Sequence, residues 1–201
     1  MLKEKFAPVD GAALRSPIAQ LKAYQHRAAL LVHQTAAGIA KDVQSGKPYE
    51  VAWNNALVEI ARASKAHCFL IIVGNFHKAV EDAKQNHAKL YPVLAKLSDL
   101  FALYNIEQDI GDFLEDGYVN MAQAALIRAE VRTLLDEIRP DCIALVDAFN
   151  NSDHELNSAI GGFNGHAYET LYEWAQNSPL NKAPVAVGYE EYIKPLVHAK
   201  L

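Results

Sequence analysis

Residues 61–88 read ARASKAHCFLIIVGNFHKAVEDAKQNHA, and this stretch decides the fold class. Its centre, CFLIIV at residues 68–73, is the longest uninterrupted apolar run in the 201-residue sequence. A membrane-spanning helix needs about 20 apolar residues in a row, so this run belongs to a protein core. By pattern alone it could also be a buried strand. The helix-forming residues at 61–66 and 77–88 favour one long buried helix instead.

Similar segments recur along the chain, with glycine and proline clustered between them. Ser16 and Pro17 are typical of a helix start, and Gly46 closes the segment that follows. Further helices are predicted over 49–88 with a bend at Gly74, over 91–104 or beyond, over 121–138 with Ile127, Val131, Leu134 and Ile138 on one stripe, and from Asp141 onward. A shorter helix is predicted over 168–176. The pattern therefore predicts an all-α fold, a bundle of four to five long helices with a C-terminal tail of short helices.

Composition restricts the classes of partner. The formal net charge is −5, and 51% of the residues are hydrophobic and 21% charged. Lysine and arginine are interspersed with aspartate and glutamate, which argues against a nucleic-acid-binding face and against a basic amphipathic membrane helix. The two cysteines, Cys68 and Cys142, each lie in an apolar run, so we expect both to be buried. Without a secretory signal, a reducing intracellular compartment is expected.

No motif in the sequence forms a self-contained catalytic or metal site. His154-Glu155 begins like a zinc-protease helix, but Ser158 stands where the second histidine would be needed. His26 and His33 are about 10 Å apart along a helix, too far to share a metal, and surface or half-buried positions are expected for them. An acidic cluster is interpreted as a solvated helix end: Asp109, Asp112, Glu115 and Asp116. We therefore expect no catalytic residue and no metal ligand in this chain.

The last three residues are Ala199, Lys200 and Leu201. A serine-lysine-leucine terminus is a peroxisomal address that an import receptor recognises, and alanine keeps the small first side chain. The sequence thus predicts four parts: an N-terminal extension at 1–15, a helical bundle at 16–150, a short-helix segment at 151–198 packed on the bundle, and a targeting tripeptide at 199–201.

Several blocks of sequence occur in an order and at spacings typical of one family. The most specific is IRPDCIALVDAF at residues 138–149. The others are 50–54, 62–68, 111–114, 156–161, 168–169 and 173–181. From about Ser16 to its end, the chain resembles the C-terminal helical domain of peroxisomal acyl-CoA oxidases. It departs from the family at Gly162, Phe163 and Asn164, where relatives usually have arginine, tyrosine and aspartate, so a charged contact in this turn is not carried over.

The resemblance implies a FAD-dependent parent enzyme that converts an acyl-CoA and O₂ into a trans-2-enoyl-CoA and H₂O₂ in the peroxisome. The catalytic base and most of the flavin site of such enzymes lie in other domains, so this chain alone is expected to be inactive and to bind no FAD. The residues that contact flavin are not identified by the sequence. The implied partners are the remaining catalytic domains, a second copy in the parent homodimer and the import receptor.

The resemblance also implies a role in assembly and in enclosing the flavin site. It predicts an apolar face that is covered in the parent enzyme, with Trp53, Trp174, Phe163 and Tyr172 as candidate members. Core packing is the alternative for each of these four side chains. Two further alternatives for the chain as a whole are a free-standing, non-catalytic peroxisomal interaction module and a bundle that binds acyl chains. The second would require an enclosed apolar cavity.

Overall fold

The structure is a computed structural model that describes residues 5–197. Within that range the regular elements are helices, and no strand is present. The first part of the chain contains α1 (Gly11–Leu14), α2 (Pro17–Gln44), α3 (Tyr49–Asn55), α4 (Leu57–Asn86), α5 (Tyr91–Gln108), α6 (Ile110–Leu114) and α7 (Met121–Ile138). The four long helices α2, α4, α5 and α7 confirm the predicted all-α bundle.

Two of the long helices begin at the caps that the sequence predicts. The Ser16 hydroxyl accepts a hydrogen bond from the backbone N–H of Ala19, and Pro17 occupies the first turn of α2. Before α7, the backbone N–H of Gln123 donates to the Asn120 side chain, and the Gln123 side chain accepts from the Asn120 N–H, at 2.9 and 3.0 Å. This capping box satisfies two backbone donors that the helix leaves free.

The predicted helix over 49–88 is interrupted at Ala56, which separates α3 from α4. Gly74 lies inside α4, where the helix continues through it. Glycine lowers helix propensity by about 1 kcal/mol but does not interrupt the backbone hydrogen bonds, so a single glycine inside a long packed helix is tolerated. The prediction of one uninterrupted helix over 49–88 is therefore wrong, although both the short α3 and the long α4 are helical.

The main core lies among the four long helices, where α2 packs on α4, α4 on α5, and α5 on α7. The predicted stripe of α7 is buried throughout, at Ile127, Val131, Leu134 and Ile138. Its partners in the core include Tyr24, Val73, Leu103, Ile106 and Phe113. A second, smaller cluster joins α2 to α4 through Ala28, Leu31, Ala63 and Ala66.

The apolar run at 68–73 is helical as predicted, but only part of it is buried. Val73 is buried, whereas Ile71 and Ile72 are about half exposed, at 49% and 46%. Cys68 is exposed, and so is Cys142, which corrects the expectation that both thiols are buried. The reason is geometric: six consecutive residues cover almost two turns of a helix, so a core on one side can bury only some of them.

The chain divides into two compact units, Met1–Cys142 and Ile143–Leu201. The second unit follows a 3₁₀ turn at Arg139–Asp141 that includes Pro140, the residue at which the sequence predicts a break. Here the helices are short, as predicted for the C-terminal tail: α8 (Cys142–Asp147), α9 (Asp153–Leu156), α10 (Ala167–Asn177) and α11 (Lys194–Val197). The expected long fifth helix from Asp141 is thus only a short one.

Among residues 143–197, Ala159 is the one residue classed as buried. Large apolar side chains in this unit are exposed instead, including those of Ile160, Phe163 and Tyr168 at 85%, 80% and 87%. A helical segment usually gains its stability from packing an apolar face, because short helices are marginal in water. The second unit therefore contains little apolar core of its own.

Candidate functional site

A partly buried ionic cluster, here called the Arg27 cluster, is formed by Arg27, Arg62, Asp109 and Asp112. The Arg27 Nε donates to Asp112 Oδ2 at 2.6 Å, and a terminal nitrogen of Arg27 lies 2.9 Å from Asp109 Oδ2. Arg62 of α4 contacts the other oxygen of Asp112. The side chains of Arg27 and Asp112 are only 3% and 8% exposed. The cluster thus connects α2, α4 and the segment around α6 through compensated charges.

The two arginines also control the ionisation of Asp112. Burial raises the pKa of this carboxyl, but hydrogen bonds from Arg62 and Arg27 outweigh that effect and hold the pKa below its usual range. Asp112 is therefore a buried carboxylate paired with two cations. The interpretation of the acidic cluster as a solvated helix end is wrong for this residue.

His26 is buried against the loop that follows α6. Its Nε2 lies 2.7 Å from Asp116 Oδ2, and its ring stacks on Tyr118 with 3.8 Å between ring centroids. The backbone N–H of Tyr118 donates to the other Asp116 oxygen at 3.0 Å. These contacts position the loop over α2, and they correct the expectation of a surface or half-buried histidine.

A second polar network centres on the fully buried Gln20. Its amide nitrogen donates to Asp99 Oδ1 at 2.8 Å and to the Leu14 carbonyl at 3.0 Å. Its amide oxygen accepts from His77 Nε2 at 2.8 Å, which places a proton on that ring nitrogen. Burial raises the pKa of Asp99 to about 6 and lowers the pKa of His77. The network connects α1, α2, α4 and α5 in the interior of the first unit.

Arg15 joins the start of the chain to α7. Its Nε lies 2.5 Å from a Glu130 oxygen, and a terminal nitrogen lies 2.7 Å from a Glu137 oxygen. The hydrogen bond to Glu137 is the main influence that raises the pKa of Arg15, and the same contact lowers the pKa of Glu137. Because both carboxylates accept from the guanidinium, this group fastens the N-terminal segment to the bundle.

These networks hold the bundle together, and their geometry does not resemble a reaction centre. The histidines within them bond to Asp116 and Gln20, not to a serine or cysteine nucleophile. Within residues 5–197, no group of three or more histidine, cysteine, aspartate or glutamate side chains could hold a metal ion. No helix in the same range is long and apolar enough to cross a membrane. That this chain contributes no catalytic residue stays a prediction.

The four candidates for an apolar contact face all have exposed side chains. Trp53 and Trp174 are 41% and 46% exposed, and Phe163 and Tyr172 are 80% and 68% exposed. The core-packing alternative is thus wrong for these four residues. The predicted targeting tripeptide, Ala199-Lys200-Leu201, lies outside the described residues.

The Arg27 cluster was missed because its partners are far apart in sequence; Arg27 and Asp112 are separated by 85 positions. A local signal was nevertheless present. Arg27 lies on the same helical stripe as Tyr24 and Leu31, both buried, so a charge interrupts an apolar pattern. A charged residue in that position needs a buried partner.

The family model described as "ACOX: Acyl-CoA oxidase" matches residues 16–198. The chain belongs to the acyl-CoA oxidase family. Among curated acyl-CoA oxidases, the peroxisomal acyl-coenzyme A oxidase 1 of Rattus norvegicus is 42% identical over 175 residues, which cover 87% of this chain and 26% of the rat protein. The chain therefore spans about a quarter of the length of the curated relatives it matches.

Solved structures of acyl-CoA oxidases have the same fold over the corresponding region. The acyl-CoA oxidase-2 of Caenorhabditis elegans, whose structure is bound with FAD, ascaroside-CoA and ATP, matches with a TM-score of 0.86 and 30% identity over 100% of this chain and 29% of its own. Arabidopsis thaliana acyl-CoA oxidase 1 matches with a TM-score of 0.84 and 31% identity over 100% of this chain and 30% of its own. In those two relatives, the region that matches this all-α bundle is one part of a longer chain.

Proposed function

We propose that this chain is the C-terminal helical part of a FAD-dependent peroxisomal acyl-CoA oxidase, and that its role is to assemble with the catalytic part and help enclose the flavin site. The parent enzyme oxidises an acyl-CoA to the trans-2-enoyl-CoA and reduces O₂ to H₂O₂. Family membership supports the parent activity. The observation that supports an assembly role is the second unit, in which large apolar side chains are exposed and Ala159 alone is buried among residues 143–197.

Covering that surface provides the free energy for assembly. Burying one large aliphatic or aromatic side chain contributes about 1.5–3 kcal/mol. Phe163, Tyr168 and Ile160 are each at least 80% exposed, so a partner that covers these three alone gains several kcal/mol. In the proposed assembly, the partner is the catalytic part of the same subunit, and a second subunit completes the homodimer.

We propose that the flavin site lies mainly outside the residues of this chain. A flavin needs a site that holds its ring and its pyrophosphate, and backbone N–H groups at the start of a helix commonly supply the latter. The three closely spaced glycines, Gly161, Gly162 and Gly165, lie in a turn between the short helices α9 and α10, and no strand precedes them. FAD is therefore proposed as a cofactor of the parent enzyme, held mainly by its other domains.

The structure does not favour the alternative of an acyl-chain-binding bundle. That function requires an enclosed apolar cavity, whereas one apolar concavity of the first unit is an open groove lined by α4, α5 and α7. The proposed role for the chain is therefore an interaction with protein, not with a free acyl chain.

Assembly can be tested by reconstitution with a relative whose structure holds FAD. C. elegans acyl-CoA oxidase-1, solved with FAD and ATP, is 32% identical, and this chain covers 27% of it. That protein, truncated to remove the matching part, is co-expressed with the tagged 201-residue chain. We expect co-purification and flavin absorbance in the complex. Ile160→Asp and Phe163→Asp should weaken capture, whereas Val58→Asp, an exposed valine of α4 in the first unit, serves as the matched control.

The proposed peroxisomal location has its own test. A fluorescent protein that ends in the last residues of this chain, with Leu201 as the free C-terminus, should enter peroxisomes through the import receptor. Lys200→Glu should leave the fusion in the cytosol, since it replaces the lysine of the serine-lysine-leucine type of signal with an acidic residue. Peroxisomal import of the Lys200→Glu fusion would contradict the assignment of the tripeptide.

A further inference from the structure

Helix α5 is apolar on two sides. One side packs into the core through Ala102, Leu103 and Ile106, which are fully buried. The other side carries Leu97, Leu100, Phe101 and Tyr104, at the three- and four-residue spacing of a second stripe. A helix with a single buried face is apolar on one side only, whereas a helix that is apolar all round is covered on both. Leu100 and Phe101 of this second stripe already pack partly against the core, whereas Tyr104 is exposed, so the stripe is only partly covered within this chain.

That second stripe forms the floor of an open groove of about 730 Å³. Phe76 of α4 lies on one side of it, and Val131 and Leu135 of α7 lie on the other. Tyr104 and Leu135 are about half exposed, at 48% and 53%. Measured along α5 from Leu97 to Gln108, the groove is about 16 Å long, which is about three turns of an α-helix.

Two arginines lie on the α7 side of this groove. Arg128 and Arg132 are one helical turn apart, about 6 Å along the axis, and both line the groove. Neither forms an ion pair with another residue in the range 5–197, unlike Arg15, Arg27 and Arg62. Glu107 also lines the groove, so two cations and one carboxylate border its apolar floor, and the side at Arg128 and Arg132 is complementary to an amphipathic segment that carries carboxylates.

We propose that the groove between α4, α5 and α7 is the binding site for an amphipathic α-helix from the catalytic part of the parent oxidase. The helix inserts apolar side chains at i, i+4 and i+7 into the groove and directs one or two aspartates or glutamates at Arg128 and Arg132. The identity of the partner rests on the function proposed above. The type of ligand, an amphipathic helix with carboxylates on one side, is inferred from the residues of the groove itself.

The shape and charge of the groove favour a helix over other occupants. Three helices form its walls, and the side-chain ridges of a fourth helix pack between such ridges. An acyl chain is bound best in an enclosed apolar pocket, whereas this groove is open. In a two-fold pair of identical chains, the four arginines would have only the two Glu107 side chains among the groove residues as countercharges. The part of the rat relative outside the matched region is about three quarters of its length, which is long enough to supply a covering helix.

The test uses two synthetic helical peptides with the same apolar face, leucines at three successive turns. One peptide carries glutamates beside that face and the other carries lysines. Binding to the purified 201-residue chain is measured by fluorescence anisotropy. We expect the acidic peptide to bind about tenfold more tightly, since each exposed ion pair contributes modestly. Arg128→Glu combined with Arg132→Glu should reverse the preference.

Two further variants distinguish peptide binding in the groove from nonspecific hydrophobic binding elsewhere on the chain. Leu135→Asp places a charge on the groove wall at a half-exposed position, so the chain should stay folded and both peptides should bind more weakly. Val58→Asp makes the same kind of change outside the groove and should leave binding unaltered. Circular dichroism verifies that each variant keeps its helices.

Several results would overturn the proposal. They are no measurable binding of the acidic peptide, equal binding of both peptides, or unchanged binding by the Leu135→Asp variant. Displacement of the peptide by a fluorescent fatty acid of higher affinity would identify an acyl site instead. A chain dimer that Leu135→Asp dissociates would identify a second copy as the occupant. The chain could fail to capture the truncated oxidase in the reconstitution and still prefer the acidic peptide. That result would reject the proposed function but not the helix-binding groove.

Discussion

Asp112→Ala tests how much the Arg27 cluster stabilises the first unit. The substitution removes the carboxylate that both Arg27 and Arg62 contact. Arg27 is then left buried with Asp109 as its remaining partner, and the Asp109 side chain is 24% exposed. Arg62 is affected less, because its side chain is 44% exposed and water can solvate it.

The magnitude follows from these burials. Breaking a buried pair by removing one partner costs about 3–5 kcal/mol, because an uncompensated charge remains in the interior. Since Asp109 still compensates part of the Arg27 charge, we expect the lower end, about 3 kcal/mol. Domains of this size are stable by only about 5–15 kcal/mol, so the loss is large. Arg62→Ala removes a half-exposed partner and should cost about 1 kcal/mol or less.

Urea unfolding at neutral pH measures both values. The chain has two tryptophans, Trp53 and Trp174, so a Trp174→Phe background leaves Trp53 as a fluorescence reporter of the first unit. With an m-value of about 1–3 kcal/mol per molar urea, Asp112→Ala should lower the midpoint by about 1 M or more. Adding Arg27→Met to Asp112→Ala should restore part of the lost free energy of unfolding, because it removes the buried cation that Asp112 no longer pairs with. A loss for Asp112→Ala no larger than that for Arg62→Ala would refute the reasoning.

Three other properties of the chain follow from the same structure. Burial raises the pKa of Asp99 from its ordinary 3.8 to about 6, so the folded state holds the proton of this carboxyl more tightly than the unfolded state does. The free energy of unfolding should therefore fall as pH rises from about 4 to 6. Urea titrations of the Asp99→Asn variant should show that this fall is removed. Cys68 and Cys142 are exposed, so both thiols should react with Ellman's reagent in the native chain, and protection of either would contradict its placement. Backbone amides in residues 143–197 should exchange hydrogen faster than those of α7, as mass spectrometry of the free chain can show, because the second unit has little apolar core.

The parts of the fold that could be predicted from sequence are those set by local signals. Helix α7 is an example: the Asn120–Gln123 capping box marks its start, and Ile127, Val131, Leu134 and Ile138 mark its buried face. The start of α2 at Ser16 and Pro17 is equally local. Short-range signals of this kind depend on residues within one or two turns, which the sequence presents directly.

Burial on a helix that is apolar on more than one side could not be predicted in the same way. In the run at 68–73, the sequence shows that a helix is apolar but not which side meets the bundle. Ile71 and Ile72 are on the side away from this core, and Val73 is on the side towards it. Apolar side chains on an outer face are expected when a chain is one part of a larger assembly, so the error is consistent with the proposed docking role.

The polar clusters could not be predicted because their members come together only through tertiary contacts between distant parts of the sequence. Asp112 contacts Arg27, which is 85 positions away in sequence, and Arg62, which is 50 positions away. No rule of sequence spacing connects such positions. The sequence did show the acidic residues next to one another, which suggested a solvated helix end. Only the packing of α2 and α4 against the segment around α6 shows that one of these residues is buried and paired.

The most direct test of the central claim is acyl-CoA-dependent H₂O₂ release with added FAD. Three samples are compared: the purified 201-residue chain, the truncated C. elegans oxidase, and the two together. We predict no turnover by the chain alone and higher activity of the mixture than of the truncated oxidase, because the chain completes the assembly. Sustained turnover by the chain alone would mean that a flavin site and a catalytic base lie within these residues, and would contradict the claim that it is a non-catalytic assembly part.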